Sequence, residues 1–281
     1  MPKKPLVIFT DLDGSLLDHN TYSHEAANDA MRIIEERKIP LIFNTSKTLA
    51  ELLELRFRLN NKHPFVIENG SAVVIPPDYF EEVYTTWPQK VESIQGYQVI
   101  HFGLTYSQLL LKIHSIRNQL KFPFVGFSDM DVAGVQQHTG LSAHDAKLAK
   151  QRLCSEPILW QGSSVLFDQF QRCLVNEGLR VLKGGRFYHI LGPVDKRMGV
   201  YWLKDHYHEQ YYKSPVTTVS LGDGNNDRGM LEATDYAVVI PPENGIPLEL
   251  SHFNQVIYAT KKGPAGWQQG LEQIFGKTGI S

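Results

Sequence analysis

The chain has 281 residues, with 28 Lys+Arg against 30 Asp+Glu and only two cysteines. At roughly 100–200 residues per domain, this length allows two domains or one domain carrying a large insertion. The near-balanced charge gives no basic field for nucleic acid or an anionic membrane, so an anionic ligand must be held locally. Cys154 and Cys173 have neither CxxC spacing nor a secretory context, which leaves the disulfide and zinc readings without support. The basic start Met1-Pro2-Lys3-Lys4-Pro5 is followed by an apolar run only to Phe9, far short of a secretory core. No apolar stretch reaches the roughly 18 residues of a membrane span, and the expectation is a cytoplasmic protein.

Taken in chain order, the pattern predicts a strand over Leu6–Thr10, a helix over Ser23–Arg37, a strand over Leu41–Asn44, a helix over Thr48–Leu59 and a strand over Phe65–Glu68. Alternation of this kind argues for βαβ units around a parallel sheet. From about Tyr84 to Ile190 the pattern changes. Strands are predicted near Gln98–Phe102, Ile158–Trp160, Leu179–Lys183 and Arg186–Ile190, with helices near Ser107–Gln119, Ser142–Arg152 and Ser163–Glu177. Ser142 and Asp145 have capping-box spacing at the start of the second helix. The alternation then returns, with a helix over Lys196–His208, a strand over Val216–Leu221, a helix over Asn226–Ala233, a strand over Ala237–Ile240 and a last helix after Pro264. The fold class read from this is α/β, a Rossmann-like parallel sheet core with an inserted α+β cap domain. Residues 1–84 and 192–281 form the core, and 85–191 the cap.

The chemistry concentrates at two strand ends. Asp11-Leu12-Asp13-Gly14-Ser15 follows the first apolar run, and residues two apart on an extended chain point to one side, so Asp11 and Asp13 are presented together. Adjacent carboxylates raise each other's pKa, and a site using both at neutral pH needs a cation or different proton roles for the two. Gly222-Asp223-Gly224-Asn225-Asn226-Asp227 repeats the arrangement after Val216–Leu221. Ligands of open α/β sheets sit at carboxyl strand ends, where Asp11, Asp13, Asp223 and Asp227 can meet. Four converging acidic groups call for a hard divalent cation, and Mg²⁺, held by few carboxylates plus phosphate oxygens, fits best. Calcium-loop readings fail, because the required Gly and Glu positions hold Arg228 and Thr234 from one start and Leu16 and Tyr22 from the other. Gly276-Lys277-Thr278 lacks both the upstream Gly spacing and the following helix of a nucleotide-binding loop. Thr45 and Ser46, directly after the second strand, and Lys196, opening the helix that returns to the core, are candidates for a phosphoryl group.

These segments together resemble the haloacid dehalogenase-like phosphohydrolases, whose four motifs appear in order: DLDGS, the strand-end Thr45, Lys196 after the insertion, and GDGNND. Glu68-Asn69-Gly70 is similar to the Cof-type branch, which carries a large α/β cap, and the 151 positions from Thr45 to Lys196 leave room for one. The insertion resembles that of mannosyl-3-phosphoglycerate phosphatases at Thr45-Ser46-Lys47-Thr48, at Ala149-Lys150-Gln151-Arg152 with Ser155-Glu156-Pro157, and at Gly184-Gly185-Arg186-Phe187-Tyr188-His189. The resemblance implies that Asp11 is the nucleophile of an aspartyl-phosphate mechanism and Asp13 its acid and base. It further implies that Asp223, with Asp11 and the carbonyl of Asp13, ligates Mg²⁺ supported by Asp227, and that Thr45 and Lys196 hold the phosphoryl oxygens. Ser46, Arg186, Gln151, Arg152, Ser155 and Glu156 are the candidate substrate-binding residues; Arg186 shares a strand face with Tyr188 and Ile190 and suits a carboxylate. The expected ligand is a small phosphorylated sugar-glycerate, with a glucosyl ester, another sugar phosphate or a sugar phosphomutase reaction as alternatives. The expected state is a monomer or weak homodimer.

Overall fold

The computed structural model describes residues 4–82, 90–184, 187–250 and 255–279. Its centre is a five-stranded, fully parallel sheet in the order β13 (Val256–Tyr258), β12 (Tyr236–Val239), β11 (Thr217–Gly222), β1 (Leu6–Thr10) and β2 (Leu41–Phe43). Strand β1 is buried at every position, as a parallel strand covered on both faces must be. Its alternate residues serve different cores. Leu6 and Ile8 join Trp267, Leu271 and Ile274 of helix α9 (Gly263–Thr278) and the apolar side of α1 (Asn28–Glu36). Val7 and Phe9 join Val200, Leu203 and Tyr207 of the segment begun by α7 (Arg197–His206), with Met230 of α8 (Arg228–Glu232). Period-two alternation thus sets one helical layer on each side of the sheet.

A second, antiparallel sheet in the order β3 (Phe65–Ile67), β4 (Ala72–Ile75), β6 (Tyr97–His101) and β5 (Lys90–Ile94) grows from the β2 edge, where Asn44 bridges Val66. Helix α2 (Leu49–Arg58) fills the connection, closed by a reciprocal cap between Thr48 and Glu51. The boundary expected at 84/85 lies outside the described residues. Strand β6, predicted near Gln98–Phe102, pairs with β4, and β5, which the sequence reading did not predict, pairs with β6.

The inserted layer is a third sheet, antiparallel, in the order β7 (Phe124–Gly126), β8 (Ser155–Trp160), β10 (Tyr188–Leu191) and β9 (Arg180–Lys183). Helices α3 (Tyr106–Leu120) and α6 (Ser164–Asn176) cover it through Leu109, Ile113, Phe170 and Leu174. Helices α4 (Val132–Thr139) and α5 (Ala143–Ala149) pack at one end around Phe127 and Phe187. Helix α5 stops three residues before the predicted Arg152. Lys150 reaches back to the carbonyl of Phe127 at 2.6 Å, and Arg152 turns inward to a buried carboxylate. No helix among the described residues is long and apolar enough to cross a membrane.

Candidate active site

Parallel pairing brings the carboxyl ends of β1, β2 and β11 side by side, and the amide of Asp11 continues the ladder to the carbonyl of Leu221 at 2.9 Å. Asp11, Asp13 and Asp223 therefore converge although they come from distant segments, and they form the floor of a cleft of about 630 Å³. Gly14 makes the approach possible. It has a φ of +81°, and a Cβ there would lie 2.6 Å from Oδ2 of Asp223.

Beneath the floor lies a fully buried Lys196, whose Nζ donates to Oδ1 of Asp11 and to Oδ1 of Asp227, each at 2.6 Å. Asp227 is locked in place because its other oxygen accepts from the amides of Asp223 and Gly224 at 3.0 and 2.9 Å. Burial works against the charge of Lys196, but the Asp11 and Asp227 carboxylates overcome it and raise its pKa. Burial and then the charge of Asp227 push the Asp11 carboxyl up to about 7, against the pull of Lys196. Burial, Asp227 and Asp11 push Asp223 up to about 8. These shifts express an excess of negative charge, with four carboxylates facing the ammonium groups of Lys196 and Lys47.

The donor set fits a divalent ion. One carboxylate oxygen each from Asp11, Asp223 and Asp227 lie within 4.8 Å of one another, oxygen-only and partly desolvated. Asp13 stands beside this group. Its Oδ2 is paired with Nζ of Lys47 at 2.8 Å, while Oδ1 is buried with no hydrogen-bond partner among the described residues. A buried carboxylate oxygen left open in this way can accept a hydrogen bond from a bound group.

Thr45 is buried at the end of β2 and tied into the loop by its backbone, which receives the amide of Asn69 at 2.9 Å and donates to Val66 at 3.2 Å. Ser46 reaches the cleft wall. Arg152 and Ser155 converge on Glu68 instead of lining the cleft. The Glu68 carboxylate accepts from the amides of Leu153 and Cys154 at 2.7 and 3.0 Å and from Oγ of Ser155 at 2.7 Å, with Nε of Arg152 at 3.4 Å. Arg152 also donates to the carbonyl of Ser46 at 3.2 Å, so this network couples the cap to the strand-end loop. Glu156 is enclosed within the cap, accepting from the Tyr106 hydroxyl at 2.7 Å and from Ser128 at 2.8 and 2.6 Å. Gln151 is exposed, and Arg186 lies outside the described residues. Sequence reasoning assigned no role to Lys47, which sits inside the quoted Thr45-Ser46-Lys47 segment, or to Asn69, whose side chain accepts from Asn226 across the cleft at 3.3 Å. It also missed Lys183 and His189, which the cap contributes to the cleft.

Comparison with known proteins accords with this arrangement. A family model described as haloacid dehalogenase-like hydrolase matches residues 8–97. A glucosyl-3-phosphoglycerate/mannosyl-3-phosphoglycerate phosphatase of Methanococcoides burtonii is 38% identical over 271 residues, covering 96% of this chain and 97% of its own. Among solved structures, the sucrose-phosphatase of Synechocystis sp. PCC6803 superposes with a TM-score of 0.62 at 13% identity, over 98% of each chain. A phosphatase of the HAD superfamily from Bacteroides thetaiotaomicron gives 0.64 at 16% identity, over 99% of this chain and 96% of its own. These two likenesses establish the fold, and the first relative, matched across nearly the full length, establishes the family: the chain is an enzyme of the haloacid dehalogenase-like hydrolases.

Proposed function

We propose that this enzyme hydrolyses the phosphate monoester of a glycosyl-3-phosphoglycerate, with the mannosyl ester as first choice and the glucosyl ester as its close competitor. The full-length similarity to an enzyme named for both substrates carries this reading. The cleft suits it, since its cap wall includes Lys183, an exposed cation with no ion pair among the described residues and suited to a ligand with a second anionic group. Arg186, three positions later in the sequence, is proposed for the same carboxylate.

In the proposed reaction an oxygen of Asp11 attacks phosphorus and the ester P–O bond breaks. Asp13 gives its proton to the departing alkoxide. Water, deprotonated by Asp13, then attacks the aspartyl-phosphate and releases inorganic phosphate and free Asp11. Splitting the displacement in two lowers an exceptionally high uncatalysed barrier. Lys196 orients Asp11 through Oδ1 and offsets the charge of the phosphoryl oxygens, to which Thr45 donates a hydrogen bond; Lys47 holds Asp13 in position from the other side. Asp11, Asp223 and the carbonyl of Asp13, steadied by Asp227, would hold Mg²⁺, which supplies Lewis-acid stabilisation of charge on the transferring group.

The test is phosphate release from mannosyl-3-phosphoglycerate, glucosyl-3-phosphoglycerate, sucrose-6-phosphate and simple hexose phosphates, each with and without Mg²⁺. Preference for the first two supports the reading, and preference for the last two refutes the substrate while leaving a phosphatase. Asp11→Asn should lose at least about a thousandfold in kcat, and normal turnover in that variant would remove the nucleophile assignment. Phosphate release without a bisphosphate activator argues against a mutase.

A further inference from the structure

On the cap wall of the cleft, His189 of β10 has no role in the proposed reaction or in holding the substrate's carboxylate, and no hydrogen bond among the described residues. Its Nδ1 is shut off from solvent without a partner, whereas its Nε2 edge lies against Gly184, which is itself part of the cleft wall. A Cβ at Gly184 would stand 3.0 Å from Nε2 and 3.1 Å from the adjacent ring carbon, so glycine leaves the space that this ring edge uses. Burial, aided by the Arg152 charge, pushes the imidazole pKa down to about 3, so the ring is neutral across the physiological range.

A neutral imidazole carries one proton. An orphaned buried N–H donor is rarer and costlier than an orphaned acceptor nitrogen, so the proton belongs on Nε2, the ring nitrogen on the side of Gly184, a residue of the cleft wall. A neutral N–H donor on a wall facing three carboxylates is a poor anchor for an anion, which Lys183 on the same wall serves better. It is suited to a hydroxyl or ring oxygen.

We propose that His189, held open by Gly184, is a specificity-determining residue that donates from Nε2 to an oxygen of the polyhydroxylated, non-reacting part of the substrate. The proposal deepens the phosphatase reading and rests on it. It makes the cap hairpin a reader of sugar oxygens, separate from the carboxylate chemistry of the floor.

The test compares kcat/KM for mannosyl-3-phosphoglycerate with kcat/KM for p-nitrophenyl phosphate, whose leaving group offers no sugar oxygen. In His189→Phe the ratio of the two should fall by about tenfold, the worth of one neutral hydrogen bond. His189→Gln, which keeps a donor, should recover most of that ratio. Gly184→Ala, which crowds the ring edge, should lower it as His189→Phe does. An equal loss on both substrates in His189→Phe, or no change in the ratio, would overturn the proposal in favour of a packing role. If the wild-type enzyme instead prefers sucrose-6-phosphate or a hexose phosphate, the glycosyl-phosphoglycerate reading fails by itself, and the same ratio measured with the preferred sugar phosphate decides His189.

Discussion

Replacing Glu68 by Gln changes one oxygen to an amide group and should be among the most damaging substitutions outside the catalytic floor. Glu68 is fully buried and has four donors around its carboxylate: two backbone amides, the Ser155 hydroxyl and the Arg152 guanidinium. Its backbone is held at a φ of +48°, followed by Asn69 at +58° and Gly70 at +90°. Left-handed geometry at a residue with a side chain costs about 1–2 kcal/mol, and the carboxylate's bonds are what offset it here. In the Gln variant an N–H₂ group must face a donor, and Arg152 keeps its charge in the interior without a counter-charge. Breaking a buried pair in this way costs about 3–5 kcal/mol, a large part of a total stability of about 5–15 kcal/mol. At about 2–4 °C per kcal/mol, the melting temperature should drop by about 6–20 °C in calorimetry. Arg152 also holds the carbonyl of Ser46, so the loss should raise KM for the phosphate ester as well. The double variant Glu68→Gln with Arg152→Met removes the stranded charge and should melt above Glu68→Gln alone, a coupling of about 0.5–3 kcal/mol. If Glu68→Gln melts within about 2 °C of wild type, or if adding Arg152→Met only makes matters worse, the carboxylate is not the joint between cap and core.

Two further outcomes follow from the charges at the floor. Asp11 and Asp223 have folded-state pKa values raised to about 7 and about 8 from an ordinary 3.8, so the folded form binds more protons than the unfolded form between those limits. Their contribution in chelator is therefore fully present below about pH 4 and is lost as pH rises through 7 to 8; since protons and metal compete, the rise in melting temperature on adding Mg²⁺ should be small at pH 5 and grow to pH 8. A pH-independent increment in differential scanning fluorimetry would show that Mg²⁺ does not act at these carboxylates. Lys47→Met removes the ammonium that holds Asp13 and should lower kcat about tenfold for alkyl phosphate esters, but less for p-nitrophenyl phosphate, whose leaving group needs no proton; equal losses on both would place Lys47 outside proton transfer.

The parts of this protein that could be read from its sequence are those where a local pattern carries the whole requirement. A strand end followed by Asp-x-Asp-Gly announces itself, because period-two geometry and a glycine turn are set by neighbours in the chain, and the burial of every residue in Leu6–Thr10 follows from the same run. Strands β4, β7 and β13 escaped the reading; β4 follows closely on the left-handed turn at Glu68, Asn69 and Gly70, which no periodicity reveals. The division between the two layers was similarly hidden: β5 is mostly polar and exposed along its length, so only its pairing through β6 to β4 tells which sheet it joins.

The candidate substrate residues of the cap show a deeper reason for such misses. Arg152, Ser155 and Glu156 lie within five positions, and sequence spacing gives each the same claim on a ligand. Yet Glu156 is saturated by Tyr106 and Ser128, and Arg152 and Ser155 are committed to Glu68, a residue more than eighty positions upstream. Whether a polar side chain is free for a ligand depends on donors and acceptors brought in by tertiary contacts, and a buried group must satisfy those first. Among the residues that line the cleft, the same accounting marks Nδ1 of His189 and the open oxygen of Asp13, each a buried atom without a partner among the described residues. In this fold the floor is set by the chain's local grammar, whereas the commitments of the cap's polar side chains are set by tertiary contacts.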